Sequence, residues 1–337
     1  MSGGVDSSTA AALLKKNGFE VIAVFMRMHE HSNPKDAKKV AKILNIPFYI
    51  LDVQKEFKKR VVDYFIKEHK KGNTPNPCVI CNKYIKFKFL IDKMIELKAD
   101  FVATGHYARI GREIRNSKFE IRKLLVARDK NKDQSYFLWT LNQKQLKKII
   151  FPLGDYTKEQ TRGLAKKFGL PVFDKKDSQE ICFINTNLYE FLKSRIHANR
   201  GPIITNNGKK IGEHKGLIFY TIGQRKGLPA TPASWLAWRA GDPVYVIKKD
   251  FKNNALIVSK SNKDLLRKEM LVKNVNWISG KSFNGRCKVK IRSMAKMVPA
   301  TINKNKIIFD KPQRAITPGQ SAVFYDNNEV LGGGTID

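Results

Sequence analysis

The chain has 337 residues, 42% of them hydrophobic, which is enough for two or three domains and too apolar for a disordered polymer. Lys and Arg number 64 against 30 Asp and Glu, a formal charge of +34; even with part of the lysine load reflecting genome composition, the excess points to a polyanionic partner, nucleic acid first. With no apolar run near ~18 residues, no long basic amphipathic stripe, no signal or transit segment and only four cysteines, a membrane partner and a secreted disulfide framework are set aside, and a cytoplasmic protein with metal or redox cysteines is expected.

The chain opens with MSGGVDSS. Gly3 and Gly4 permit a tight bend whose N–H groups converge on an anion, and the helix predicted from 7 to 16 aims its N-terminal dipole at the same point. Asp6 and the neighbouring hydroxyls are candidates to hold Mg2+ beside that anion. An ordinary Ser/Gly terminus is the plain alternative. Apolar runs at 21–25, 48–52, 101–104 and 124–127 read as strands, and 36–44, 57–70 and 83–97 as helices. The alternation predicts an α/β fold with a mainly parallel, Rossmann-like sheet covered on both faces. Ligands of such sheets bind at the carboxyl ends of the strands, where the Gly3-Gly4 loop, Met26 and Thr104-Gly105-His106 would lie.

Thr157 with Gln160 forms a capping-box pattern that opens a helix ending at Gly169, and a last helix is predicted over 188–196. From Gly201 the texture changes to short runs at 216–222, 243–247, 255–259, 286–292, 301–309 and 320–325, which read as strands at barrel spacing. The expected domains are 1–197, 198–262 and 263–337: an α/β catalytic unit followed by two small β-rich modules, the last a β-barrel.

The opening loop lacks the Gly-Lys-Ser/Thr ending of a Walker motif. It resembles the loop of the N-type ATP pyrophosphatases, which cleave ATP between the α- and β-phosphates. That superfamily leaves GMP synthetase, argininosuccinate synthetase, NAD synthetase and tRNA-modifying branches open. Cys78 and Cys81 stand three apart on a Pro-bounded loop feeding a helix, where the helix terminus, Lys83 and Lys86 favour a thiolate. Cys182, alone, reads as a buried inert cysteine, and Cys287 stays in that class.

Taken together, SGGVDSS, TPNPCVICNKYIKF (74–87), ATGHYAR (103–109), KDQSYFLW (132–139), DSQEICFI (177–184), GLIFYTIGQRKGL (216–228) and RAITPGQSAVFY (314–325) resemble the tRNA-specific 2-thiouridylases over the whole chain. The resemblance implies that ATP adenylates the 2-oxygen of a tRNA wobble uridine, which sulfur then replaces. It places ATP on Ser2, Gly3, Gly4, Val5, Asp6, Ser7 and Ser8, with Met26 and Gly105 beside it. It makes Cys81 the nucleophile and Cys182 the persulfide carrier, joined by a transient disulfide whether Cys81 attacks the terminal sulfur or resolves the persulfide afterwards. Asn76, Pro77 and Cys78 would face the flipped base, and Lys132, Asp133, Gln134 and Arg292 would contact tRNA. A cysteine desulfurase or sulfur-relay protein would supply the sulfur.

Two departures stand out. Many family members carry Asp where this chain has Cys78, and the resulting Cys78/Cys81/Cys182 trio raises an iron–sulfur cluster, or zinc with His106 as fourth ligand. Nothing but Met1 precedes Ser2, where the fold normally has an apolar strand, so a natural start upstream is expected. The rival readings are a basic RNA-binding protein with an inactive nucleotide site and a related enzyme acting on a small molecule.

Overall fold

The computed structural model describes residues 1–115, 119–176, 181–228 and 243–337. Helix α1 (Val5–Lys16) starts at Gly4, runs through three successive alanines and buries Val5, Ala10, Ala12 and Leu13; Asp6 in its first turn and Lys15 and Lys16 in its last complement the helix dipole. It is followed by β1 (Ala23–Arg27), α2 (Lys35–Ile43) and β2 (Phe48–Asp52). Next come α3 (Gln54–Phe57), a wide π turn and α4 (Asp63–Lys70), then α5 (Pro77–Cys81), a second π turn (Asn82–Lys86) and α6 (Phe87–Glu96). The helix expected from Lys83 thus begins at Pro77, where proline at the first helical position needs no N–H partner.

After β3 (Val102–Ala103) a hairpin of β4 (Ala108–Arg115) and β5 (Phe119–Val126) leaves the α/β unit, and α7 (Gln143–Leu146), β6 (Ile149–Ile150), α8 (Lys158–Lys167) and α9 (Leu188–Lys193) complete it. The capping box at the start of α8 is formed in both directions: Gln160 N donates to Thr157 Oγ1 and Thr157 N to Gln160 Oε1. Among the described residues of the α/β unit, parallel pairing occurs as two pairs, β1–β2 and β3–β6. Val24 of β1 and Val102 and Ala103 of β3 line the cleft between them, and the Met1 amino group donates to the Val24 carbonyl.

The run 124–127, expected in that parallel sheet, belongs elsewhere. Strand β5 pairs antiparallel with β4 along its length and then with the C-terminal strand, Leu124 opposite Val330 and Leu125 opposite Glu329. Its alternation explains the choice, because Leu124 and Val126 are buried in a core shared with Val323, Tyr325 and Val330 of the C-terminal module.

The central module contains β7 (Gly201–Thr205), β8 (Lys210–His214), β9 (Tyr245–Asp250) and β10 (Ala255–Ser259) in the order β8-β7-β10-β9. The run 216–222, expected as a strand, instead forms a 3-10 turn at Leu217–Phe219, since Gly216 at φ +135 breaks the extended path. Strands β11 (Leu266–Trp277), β12 (Gly285–Lys290), β13 (Val298–Asn303), β14 (Lys306–Arg314), β15 (Ser321–Asp326) and β16 (Glu329–Ile336) follow the order β11-β14-β13-β12-β15-β16, and β11 pairs with β16 to close the barrel. The run 301–309 is not one strand but the two arms of the β13–β14 hairpin, turned at Lys304 with φ +56. Closure leaves the barrel without open edges of its own, and its core holds Val289, Ala300, Ile307, Phe309 and Phe324.

Candidate active site

The site starts at the turn Ser2–Ser7. Gly3 sits at φ +78, and a Cβ on it would come within 2.7 Å of Ala37 N, so α2 packs directly on the loop. Gly105, following β3, presses on the other side: its Cβ would lie 2.7 Å from Ser7 N. Only glycine permits both approaches. Ser2 N donates to Ser7 Oγ at 3.0 Å, and Ser7 Oγ donates to the Gly4 carbonyl at 3.2 Å, which fixes the loop's curvature. No side chain caps α1, so its first-turn N–H groups remain available to an anion, and the buried hydroxyl of Ser8 has no partner among the described residues.

This turn lies at one side of a cleft of about 1510 Å³ between the two parallel pairs, lined also by Met26 and Gly105. Lys86, Lys132, Lys158, Lys175 and Lys176 all line it, against Asp6 as its acidic residue near the loop. A polyphosphate fits such a lining. The Asp6 carboxylate itself is held by Lys158 Nζ at 2.7 and 2.9 Å, and the Tyr107 hydroxyl lies 2.9 Å from Asp6 Oδ1 and 2.9 Å from Thr161 Oγ1. Asp6 thus stands beside the loop with lysine and tyrosine partners.

The thiols lie beyond the cleft's lining, next to its residues Met26 and Lys86. Asn76 caps α5 by accepting from Val79 N at 3.4 Å, and Pro77 is buried at the first helical position. This puts Cys78 at the surface and Cys81 inside, 6% exposed, in a cluster with Phe57, Phe65, Phe183 and Ile184. Those last two residues anchor the segment that carries Cys182, whose own side is exposed. Asp177–Glu180 of the same motif lie outside the described residues. All three thiols lie within electrostatic reach of Lys86, and Cys81 within reach of the other two.

The expectation of thiolates at rest does not hold. Burial pushes the Cys81 thiol up to about 12, and the protein packed around Cys78 and Cys182 desolvates their thiols enough to raise them too, exposed as these residues are, outweighing the opposing pull of Lys86. All the cysteines are unpaired, and among the described residues no three His, Cys, Asp or Glu side chains are arranged to hold a metal ion. His106 is directed elsewhere: its Nδ1 is 2.8 Å from Thr104 Oγ1 and its ring stacks on Phe87.

The other expected contacts divide. Lys132 and Gln134 line the cleft, with Gln134 Oε1 also accepting from Tyr107 N at 3.0 Å. Asp133 is an internal organiser that accepts from Ala127 N at 2.9 Å and Ser135 Oγ at 2.9 Å. Arg292 lies away from the cleft, at the seam of the two β modules, where Nη2 donates to Ile222 O, Ala315 O and Thr317 Oγ1 at 3.2, 3.1 and 2.7 Å. Sequence reasoning missed Tyr107, Lys158 and Lys175 as parts of the site. The capping box located the start of α8, and hence Lys158, but nothing local shows that it reaches Asp6.

The loop before Cys78 is held by all three modules. Thr74 N donates to Pro318 O at 2.9 Å, Gln320 Nε2 donates to Thr74 O at 2.7 Å, and the Thr74 and Thr221 hydroxyls are 3.2 Å apart.

Comparison with known proteins places this architecture. Family profiles described as a tRNA methyl transferase HUP domain, a tRNA methyl transferase PRC-barrel domain and an aminomethyltransferase beta-barrel domain match residues 1–186, 189–260 and 267–336. The chain is 45% identical to a tRNA-specific 2-thiouridylase MnmA of Symbiobacterium thermophilum, over 100% of this chain and 90% of that one. It is 43% identical to the protein of that name from Clostridioides difficile, over 100% and 96%, and 46% identical to tRNA-specific 2-thiouridylase MnmA 1 of Caldanaerobacter subterraneus, over 100% and 96%.

Proposed function

The chain belongs to the tRNA-specific 2-thiouridylase family, and from that premise we propose that it thiolates the wobble uridine of tRNA at the 2-position, using ATP and a cysteine persulfide. The observation that carries the assignment of residues is the continuity of two sites. Lys86 lines the lysine-rich nucleotide cleft and lies within electrostatic reach of all three thiols, and Met26 both lines the cleft and packs against the cluster that buries Cys81.

The chemistry follows from what a uracil carbonyl lacks. Its oxygen cannot leave unaided, so AMP is transferred to that oxygen and pyrophosphate departs into the Ser2–Ser7 loop. The uncapped N–H groups of α1 and the cleft lysines stabilise the departing charge. Among the described residues, the carboxylates beside the loop, Asp6 and Asp36, are held by Lys158 and Lys175, which fits a reaction driven by the leaving group.

Sulfur arrives as a persulfide on exposed Cys182, where a donor protein such as a cysteine desulfurase or a relay protein can reach it. The terminal sulfur bonds to C2 of the uridine and AMP leaves. Cys81 takes the Cys182 sulfur, the persulfide S–S bond breaks, and a Cys81–Cys182 disulfide remains to be reduced. Asn76, Pro77 and Cys78 border the place where the extruded base must sit.

The readings without this chemistry explain less. An inert RNA-binding protein has no use for an uncapped helix start facing several lysines, nor a small-molecule enzyme for a charge of +34. The test is mass spectrometry of tRNA nucleosides from a strain lacking this protein. Loss of 2-thiouridine derivatives, restored by the intact gene, is expected; unchanged 2-thiouridine would refute the assignment.

A further inference from the structure

The sulfur-transfer step makes and breaks bonds at two of the three thiols and leaves the third, Cys78, without a covalent task. Cys78 is exposed, whereas Cys81, one turn further along α5, is buried. The pair has the Cys-X-X-Cys spacing at a helix start that dithiol couples use, with an outer thiol open to solvent and an inner one shielded. Asn76 and Pro77 fix that helix start, and α5 continues through the π turn into α6, so the two sulfurs are carried by one rigid element.

Cys182 approaches from a different segment, anchored by Phe183 and Ile184 in the cluster around Cys81. Its thiol is within electrostatic reach of Cys78, and the Cys81 thiol is within reach of both. The three thiols thus border one cluster, and among the described residues they are not arranged as a metal-ligand set.

We propose that Cys78 is the resolving thiol of this site: it transfers the disulfide left by sulfur transfer off Cys182 and onto the Cys78–Cys81 pair. This rests on the thiolation reading given above. The Cys78 thiol loses its proton to water and attacks Cys81 Sγ; the Cys78–Cys81 bond forms, the Cys81–Cys182 bond breaks, and Cys182 leaves as a thiolate that regains a proton. No net oxidation occurs in this exchange. Cys182 is thereby returned at once to the state that accepts the next sulfur, while the oxidising equivalents wait on the helix. A dithiol reductant from solution then attacks the exposed Cys78 sulfur, and Cys81 departs with the Lys86 backbone N–H directed at its sulfur.

The test maps disulfides in the full-length protein. The protein is loaded with cysteine persulfide, mixed with ATP and tRNA without reductant, quenched with acid, alkylated and digested for mass spectrometry under non-reducing conditions. In the wild type, the Cys78–Cys81 link is expected to exceed the Cys81–Cys182 link at least tenfold, with Cys182 alkylated. In Cys78→Ser, the Cys81–Cys182 link should accumulate instead. A wild type that retains Cys81–Cys182 or forms Cys78–Cys182 overturns the proposal while leaving thiolation intact. If the same tube yields neither AMP nor thiolated uridine, it is the thiolation reading that fails. The exchange is then judged by equilibrating the protein in a glutathione redox buffer without tRNA, where any oxidised pair other than Cys78–Cys81 refutes it.

Discussion

A thiol buried beside aromatic rings is a poor nucleophile at rest, and Cys81 is such a thiol. Cys81→Ser and Cys182→Ser should each abolish thiolation, below 1% of wild-type product by nucleoside mass spectrometry, while tRNA affinity changes less than about threefold. Cys287→Ser, half-buried on β12 in the barrel, should be close to silent. A second residue-scale expectation concerns His69. Its ring packs on Phe65 and reaches Ile218, and burial lowers its pKa to about 4. Because the unfolded ring protonates near 6.5, the stability held by the neutral folded ring is complete above that pH and is lost as pH falls from 6.5 toward 4. Melting curves should therefore show His69→Gln losing its disadvantage relative to wild type across that window; a constant gap would contradict the assignment. At this scale the Gly3-Gly4 turn and the Cys78/Cys81 pair were legible because local spacing marks them, whereas Cys182 stood out only through the family resemblance. Tyr107, Lys158 and Lys175 were not legible, because each reaches the loop from a distant segment.

Among the elements, the β4–β5 hairpin couples the α/β unit to the barrel. Leu124 and Val330 are fully buried opposite each other, and Tyr136 and Trp139 bond to Ser321 at 2.8 and 3.1 Å. Leu124→Ala should cost about 2–5 kcal/mol. Hydrogen exchange should show β5 and β16 losing protection together, whereas exchange confined to β5 would mean that the two units are energetically separate. The start of α8 was easy to read, since a capping box is a local signal and the box at Thr157 is present as expected, whereas the leading proline at Pro77 was passed over and its helix expected only from Lys83. Strand membership was harder. The run 124–127 has the apolar texture of a parallel strand, and only its long-range partner, β16, decides its sheet. The 301–309 run likewise hid a turn at Lys304, a left-handed position occupied by a residue that gives no turn signal.

Across the whole molecule, the β modules buttress the site. The barrel holds Thr74 through Pro318 and Gln320, and the central module grips the same region through Lys249, whose Nζ donates to the Gly72 and Tyr220 carbonyls. Lys249, lowered to about 8 by burial, therefore serves packing, and Arg292 does the same at the seam between modules. The net charge of +34 remains mostly at the surface and along the cleft, so tRNA affinity should fall with salt at a log–log slope of roughly −4 or steeper. A flat profile would mean that the lysines reflect genome composition. The composition made a polyanionic partner legible; it could not show which lysines face the nucleotide, because that depends on how α8 and the 174–176 segment fold back over the loop. The central claim is that one continuous site adenylates the uridine and then sulfurises it. Its most direct test is to count AMP and 2-thiouridine in a single turnover of persulfide-loaded protein with labelled ATP and unmodified tRNA. One AMP for each thiolated uridine, with no AMP when tRNA is omitted, is the predicted result; AMP formed without tRNA, or thiolation without AMP, would contradict it.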